Sequence, residues 1–117
     1  MSELHHSINY LEIPVVDIQR AKAFFSEVFG WEFVDYGPEY SCFIDVGITG
    51  GFYQAPQTFT LDKGCPLIVL YSQNLDATSA AVTKAGGQIC KPVFSFPGGR
   101  RFHFLCPNGS EYAVWCE

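Results

Sequence analysis

The chain has 117 residues and a mass of 13.0 kDa, the size of one ordinary domain. Hydrophobic residues make up 48% and charged residues 16%, which excludes a disordered chain, and no apolar run approaches the roughly 18 residues that span a bilayer. Seven Lys and Arg stand against twelve Asp and Glu, a net charge of −5 with no basic cluster beyond Arg100–Arg101, so neither nucleic acid nor a membrane surface is an expected partner.

The N-terminus, Met1 to His6, has no basic region followed by an apolar stretch, so no signal peptide is expected. His5 and His6 read as a solvated segment, pointing to opposite sides if extended. Residues 8–15 alternate Ile, Tyr, Leu, Ile and Val, as a strand does. Asp17 then suits a helix N-cap. Over residues 18–29, Ala21, Phe24, Phe25 and Val28 recur at helical spacing on one apolar face, and Gly30 suits the helix stop. Strands are expected at 31–36, 40–46 and 48–54, separated by Gly37–Pro38 and Gly47, the last weakened by Gly50 and Gly51. The order is β-α-β-β-β.

The order then repeats. Residues 67–72 read as a strand, Asn74 caps a helix over 75–85, and Gly86–Gly87 ends it. Leu75, Ala81, Val82 and Ala85 form that helix's apolar face. Strands follow at 88–93, 100–106 and 111–116, with loops at Phe96-Pro97-Gly98-Gly99 and Pro107-Asn108-Gly109. Asp17 and Asn74 are 57 positions apart, as are Gly30 and Gly87, the spacing of a tandem repeat. The expected fold is α+β: two βαβββ modules at about 7–54 and 67–116, joined by a linker at 55–66, in one domain. The five cysteines, Cys42, Cys65, Cys90, Cys106 and Cys116, are odd in number, widely spaced and without a CxxC pair. They read as reduced thiols of a cytoplasmic protein, not as a zinc site, and Cys42 and Cys106 as small buried apolar groups.

One helix covers one face of each four-stranded sheet, so the other face is left as a concave surface for function. Period two assigns the side chains. Leu11, Ile13 and Val15 face the helix, leaving Ile8, Tyr10 and Glu12 on the open face. In the second module Ile68, Leu70, Phe102, Phe104, Tyr112 and Val114 face the helix. Val69, Tyr71, Arg101, His103, Leu105, Glu111 and Trp115 face the hollow. The candidate ligand-binding set is Tyr10, Val69, Tyr71, Arg101, Leu105, Glu111 and Trp115, aromatic and apolar with a few polar handles, as a small organic molecule requires. Glu12 and His103 are the candidate catalytic residues, since His103 with Glu12 or with Glu111 makes a general base with its orienting partner. Gly98–Gly99 before two arginines reads as a turn, because a phosphate loop needs different spacing and a following helix. Eight strands with two helices leave apolar sheet uncovered, which predicts a homodimer.

The stretches INYLEIPVVDIQRAKAFFSEVFGW (8–31) and FPGGRRFHFLCPNGSEYAVW (96–115) resemble the glyoxalase, bleomycin-resistance and extradiol dioxygenase superfamily, the vicinal oxygen chelate proteins. The resemblance covers residues 7–116. Cys106 stands where the family's D-P-x-G turn has Asp. It implies paired βαβββ modules curled around a cavity, often completed by dimerisation. Enzymes of the family usually hold there a divalent metal that takes two vicinal substrate oxygens, whereas its bleomycin-resistance proteins act by binding. The ligand places that the resemblance implies fall at Tyr10, near Gly50 to Phe52, at Leu67 and at Ala113. Leu67 and Ala113 have no donor atom, and a phenol with a pKa of about 10 is a poor divalent ligand. The expectation is therefore a small-molecule binder with no metal and no other cofactor. A divalent metal, in a glyoxalase-type lyase or isomerase served by it or by a Glu–His base, is the alternative. An interaction module whose hollow is filled by another chain is a third.

Overall fold

The alternation of Leu11, Ile13 and Val15 becomes strand β1, Tyr10–Val15, in a computed structural model that describes residues 4–117. Of the segment judged for a signal peptide, residues 1–3 lie outside the described part. Ile8 precedes β1 and is 86% exposed, so it belongs to no face. His5 and His6 do not diverge as an extended segment would: His6 has φ 65° and the two rings stack 3.7 Å apart in a turn.

Helix α1 is Ile18–Phe29. The Asp17 carboxylate accepts from the Arg20 amide at 3.1 Å, and Gly30, at φ 72°, closes the other end by donating to the Phe25 and Ser26 carbonyls. Strands β2 (Glu32–Asp35), β3 (Tyr40–Ile44) and β4 (Thr49–Gln54) follow. The sheet order is β1-β4-β3-β2, with β1 parallel to β4 and the other pairs antiparallel. A parallel pair needs a crossover. Here α1 carries the chain from one sheet edge to the other, and two hairpins return it beside β1. Ile13, Val15, Ile18, Ala21, Phe24, Phe25, Phe43 and Phe52 are buried between helix and sheet. Trp31 stays outside β2 and packs on Phe25 and Phe43 at 4.8 and 5.1 Å.

The second module repeats this plan. Strand β5 is Ile68–Tyr71, α2 is Leu75–Lys84, and β6 (Gln88–Phe96), β7 (Gly99–Leu105) and β8 (Glu111–Cys116) complete a sheet ordered β5-β8-β7-β6 with β5 parallel to β8. Asn74 caps α2 by accepting from the Ala77 amide at 3.0 Å. The glycine in the left-handed region is Gly86, at φ 99°, one position before the counterpart of Gly30. Strand β6 runs past residue 93 to Phe96, which shortens the expected four-residue loop to a two-residue turn at Pro97–Gly98. Leu75, Val82, Phe102, Phe104, Tyr112 and Val114 are buried as a second core.

The chain divides into two compact units, Met1–Gln57 and Thr58–Glu117. The division falls inside the 55–66 linker, whose second half folds with the second unit. There the Phe59 amide donates to Ser110 Oγ at 3.1 Å and the Glu111 amide to the Phe59 carbonyl at 2.8 Å, ahead of a 3-10 turn at Leu61–Lys63. All five cysteines are free thiols. No described helix is long and apolar enough to cross a membrane.

Candidate functional site

On the first sheet, the face away from α1 carries Tyr10 and Glu12 from β1, Tyr40 and Cys42 from β3, and Gly51 from β4, because these positions share register. Tyr40 donates its hydroxyl to Glu12 Oε2 at 2.9 Å. With that proton committed, the Tyr10 hydroxyl donates to the Tyr40 oxygen, and the Cys42 thiol, 3.6 Å away, donates to Tyr10. The chain of donors ends on one carboxylate. Burial, then the bonds to Tyr10 and Glu12, push the Tyr40 phenol well above its ordinary pKa. For Tyr10 the Tyr40 bond acts to lower the value, but the Cys42 contact, desolvation and the Glu12 charge outweigh it and leave it raised. Both phenols stay protonated at neutral pH. Gly51 makes this possible: a Cβ there would lie 2.8 Å from the Tyr40 ring and from the Ser41 carbonyl.

On the second sheet, the face away from α2 carries Val69 and Tyr71 (β5), Glu111, Ala113 and Trp115 (β8), Arg101, His103 and Leu105 (β7), and Lys91 and Phe94 (β6). His103 is fully buried. Its Nδ1 lies 2.8 Å from Glu111 Oε2, while Glu111 Oε1 accepts from the Leu61 amide at 2.9 Å. Burial acts to raise the Glu111 pKa, but the Leu61 amide and the His103 ring together hold it below the ordinary carboxylate value. A carboxylate only accepts, so His103 Nδ1 carries the hydrogen and donates. Nε2, buried, has no hydrogen-bond partner, and neither has Arg101 Nε. The Arg101 guanidinium lies 5.3 Å from the Phe94 ring and 5.5 Å from Phe96, and Lys91 Nζ lies 5.1 Å from Phe94. Tyr71 and Trp115 meet edge to face at 5.2 Å, and the Tyr71 hydroxyl donates to Glu117.

Of the candidate residues, Tyr10 and Glu12 thus join one network, and His103 and Glu111 another, with Arg101, Val69, Tyr71, Leu105 and Trp115 on the same face as the second. Between the two partners open to His103 from the sequence, Glu111 is the one it bonds; Glu12 bonds Tyr40. Tyr40, Cys42, Lys91 and Phe94 were missed. Extending period two to β3 would have found the first pair, including Cys42, which lies half-buried on the open face instead of in an apolar core. Lys91 and Phe94 were hidden by two register shifts in β6. A separate hollow of about 440 Å³ at the β3–β4 turn, lined by Phe43 to Thr49, borders none of the candidate residues.

The places that the resemblance marks for metal ligands offer a phenol at Tyr10, no donor side chain from Gly50 to Phe52, and none at Leu67 or Ala113. Among the described residues no three His, Cys, Asp or Glu side chains gather to hold an ion. The Tyr10 phenol is moreover tied to Tyr40. This donor set does not fit a divalent metal.

A family model described as bleomycin resistance protein-like N-terminal matches residues 8–51. A glyoxylase-like domain-containing protein from Didymella fabae is 30% identical over 126 residues, covering 95% of this chain and 94% of that protein. Among solved structures, a glyoxalase-related enzyme from Fulvimarina pelagi is similar with a TM-score of 0.76 at 17% identity, over 94% of this chain and 87% of that one. A genomically encoded fosfomycin resistance protein from Listeria monocytogenes is similar with a TM-score of 0.77 at 16% identity, over 97% and 95%. Alignment with the first relative over nearly its whole length, on a fold of two βαβββ modules, shows that the chain belongs to the glyoxalase/bleomycin resistance/dioxygenase family of vicinal oxygen chelate proteins.

Proposed function

We propose that the chain is a cytoplasmic glyoxalase-like protein, working as a homodimer, that binds a small organic molecule on its open sheet faces without a divalent metal. The observation that carries this reading is the state of Tyr10. At the first ligand place the phenol is held protonated and hydrogen-bonded to Tyr40 and Cys42. Coordination would require breaking that network and ionising a group whose pKa is raised. The five free thiols fit a reducing compartment.

Elemental analysis of the purified full chain tests the metal, and a thermal-shift screen of small aromatic compounds tests binding. Substoichiometric Zn, Mn, Fe and Ni together with saturable stabilisation by an aromatic compound is the expected result. One equivalent of tightly held metal overturns the reading.

A second reading is favoured by His103. With Nδ1–H fixed on Glu111, the neutral form of the ring turns an unpartnered Nε2 lone pair outward, the arrangement of a general base. A glyoxalase-type lyase or isomerase would use it to take a proton from a carbon beside a carbonyl. Exchange of that proton for deuterium in heavy water, lost in His103→Gln, would support this reading; a bound ligand with no exchange would remove it.

A further inference from the structure

Three nitrogen-bearing side chains surround one ring on the open face of the second sheet. Lys91 Nζ, Arg101 Cζ and the His103 ring lie 5.1, 5.3 and 5.8 Å from the Phe94 ring. A π face attracts a cation, yet here one neutral ring meets two full positive charges. Among the described residues no carboxylate pairs with either. Among the described residues the ion pair of a Lys or Arg is Lys22 with Asp35, and Glu111 is already occupied by the His103 Nδ1–H and the Leu61 amide. Acids are not scarce in a chain of net charge −5. Two buried polar atoms in the same cluster are also unmatched: Arg101 Nε lacks an acceptor, and His103 Nε2, fully buried, has no partner and in the neutral ring that donates from Nδ1 needs a donor. Such atoms are destabilising until something supplies the complement.

The complement has a definite chemistry. It is an anion for Arg101 and Lys91, and an O–H or N–H for His103 Nε2. Arg101 and His103 are two residues apart on one strand face, roughly 7 Å along the backbone, so the acid and the donor belong at different positions of the ligand. The neighbours Phe94, Phe96 and Trp115 offer flat apolar surface. We infer that this cluster recognises a small planar aromatic acid, its carboxylate held by Arg101 and Lys91 and a hydroxyl or N–H across the ring donating to His103 Nε2. Phe94 holds that place in the free protein and turns aside to admit the ligand ring. The local backbone permits this. The β6–β7 register shifts between Ile89 and Lys91 and again between Lys91 and Phe94, and Pro92 removes a ladder donor between them. The inference rests on the binding reading above and adds the class of ligand.

The test is calorimetric titration of the full chain with 4-hydroxybenzoate, with 4-hydroxybenzyl alcohol (acid removed) and with benzoate (donor removed). The expected result is at least tenfold tighter binding of 4-hydroxybenzoate than of either. Arg101→Gln should weaken 4-hydroxybenzoate at least tenfold and leave the alcohol within twofold. Lys91→Gln, at an exposed position that folding tolerates, should weaken it about threefold, and it decides the matter if Arg101→Gln fails to fold. Equal binding of acid and alcohol, no binding of the acid at millimolar concentration, or unchanged affinity in folded variants overturns the inference. Saturable binding of neutral aromatics without preference for the acid overturns it and leaves the binding reading standing, whereas one equivalent of resident metal overturns that reading itself.

Discussion

Glu111 makes two bonds, both strengthened by its charge. Oε2 takes the His103 Nδ1–H and Oε1 takes the Leu61 amide. In Glu111→Gln one oxygen remains to accept from the Leu61 amide, and the amide NH2 bonds His103 Nδ1 only after the ring moves its hydrogen to the buried Nε2, so the charge-assisted bond is lost. Loss of one charge-assisted bond at a buried partner is expected to cost about 1–3 kcal/mol at pH 7. The folded pKa of Glu111 lies below its ordinary value of 4.5, so its stabilisation is complete above that pH and is lost as pH falls through the depressed value. Urea unfolding at pH 7, 5 and 3 should therefore show a constant gap between wild type and variant at the first two and a narrowed gap at the third. A gap undiminished at pH 3 would refute the assignment of the bond to the charged carboxylate. Arg101, His103 and Glu111 were legible as one set because β7 and β8 alternate without interruption. Lys91 and Phe94 were not, because a bulge moves side chains between faces without leaving a mark in the hydrophobic pattern.

At the scale of elements, the caps were legible because their chemistry is local. Asp17 and Asn74 each bond the amide three residues on. Alanine at either position should lower stability by about 1 kcal/mol, read as a matched fall in melting temperature for the two variants. Gly51 was legible as a weakness in β4 but not as a cradle, since its meaning depends on Tyr40, eleven residues earlier and two strands from Glu12 in the sheet order β1-β4-β3. In Gly51→Ala the new Cβ would start 2.8 Å from the Tyr40 ring and from the Ser41 carbonyl. The ring can swing away, but the carbonyl belongs to the β3 ladder and yields little. The expected loss is about 1–3 kcal/mol, with the Tyr40–Glu12 bond broken. Ultraviolet titration checks the second part: one tyrosine should ionise at lower pH in the variant than in wild type. An unchanged melting temperature and an unchanged titration together would exclude the cradle.

Across the whole molecule, the repeat was the most legible feature, because two Asx-capped, glycine-ended helices at equal spacing fix where each sheet begins. The linker was the least legible. Phe59 is tied by two bonds to Ser110 and Glu111 and Leu61 by one to Glu111, and a contact of that span leaves no local pattern. What each sheet leaves uncovered was legible in outline and leads to the proposed homodimer. Val34, on the open face of β2, is 41% exposed, and Val69 and Tyr71, on that of β5, are 42% and 48% exposed. These are positions on edge strands, laddered on one side only, whose side chains stand out from the sheet face, so only another surface can shield them. A second copy is the economical one, because a two-fold pairing supplies the same patch from both sides. Sedimentation of the full chain at micromolar concentration should give twice 13.0 kDa, and the melting temperature should rise with protein concentration. Arg in place of Val69 or of Val34 should shift the sedimenting species toward the single chain at whichever face pairs. A wild-type monomer at that concentration, with a melting temperature independent of it, rules the dimer out.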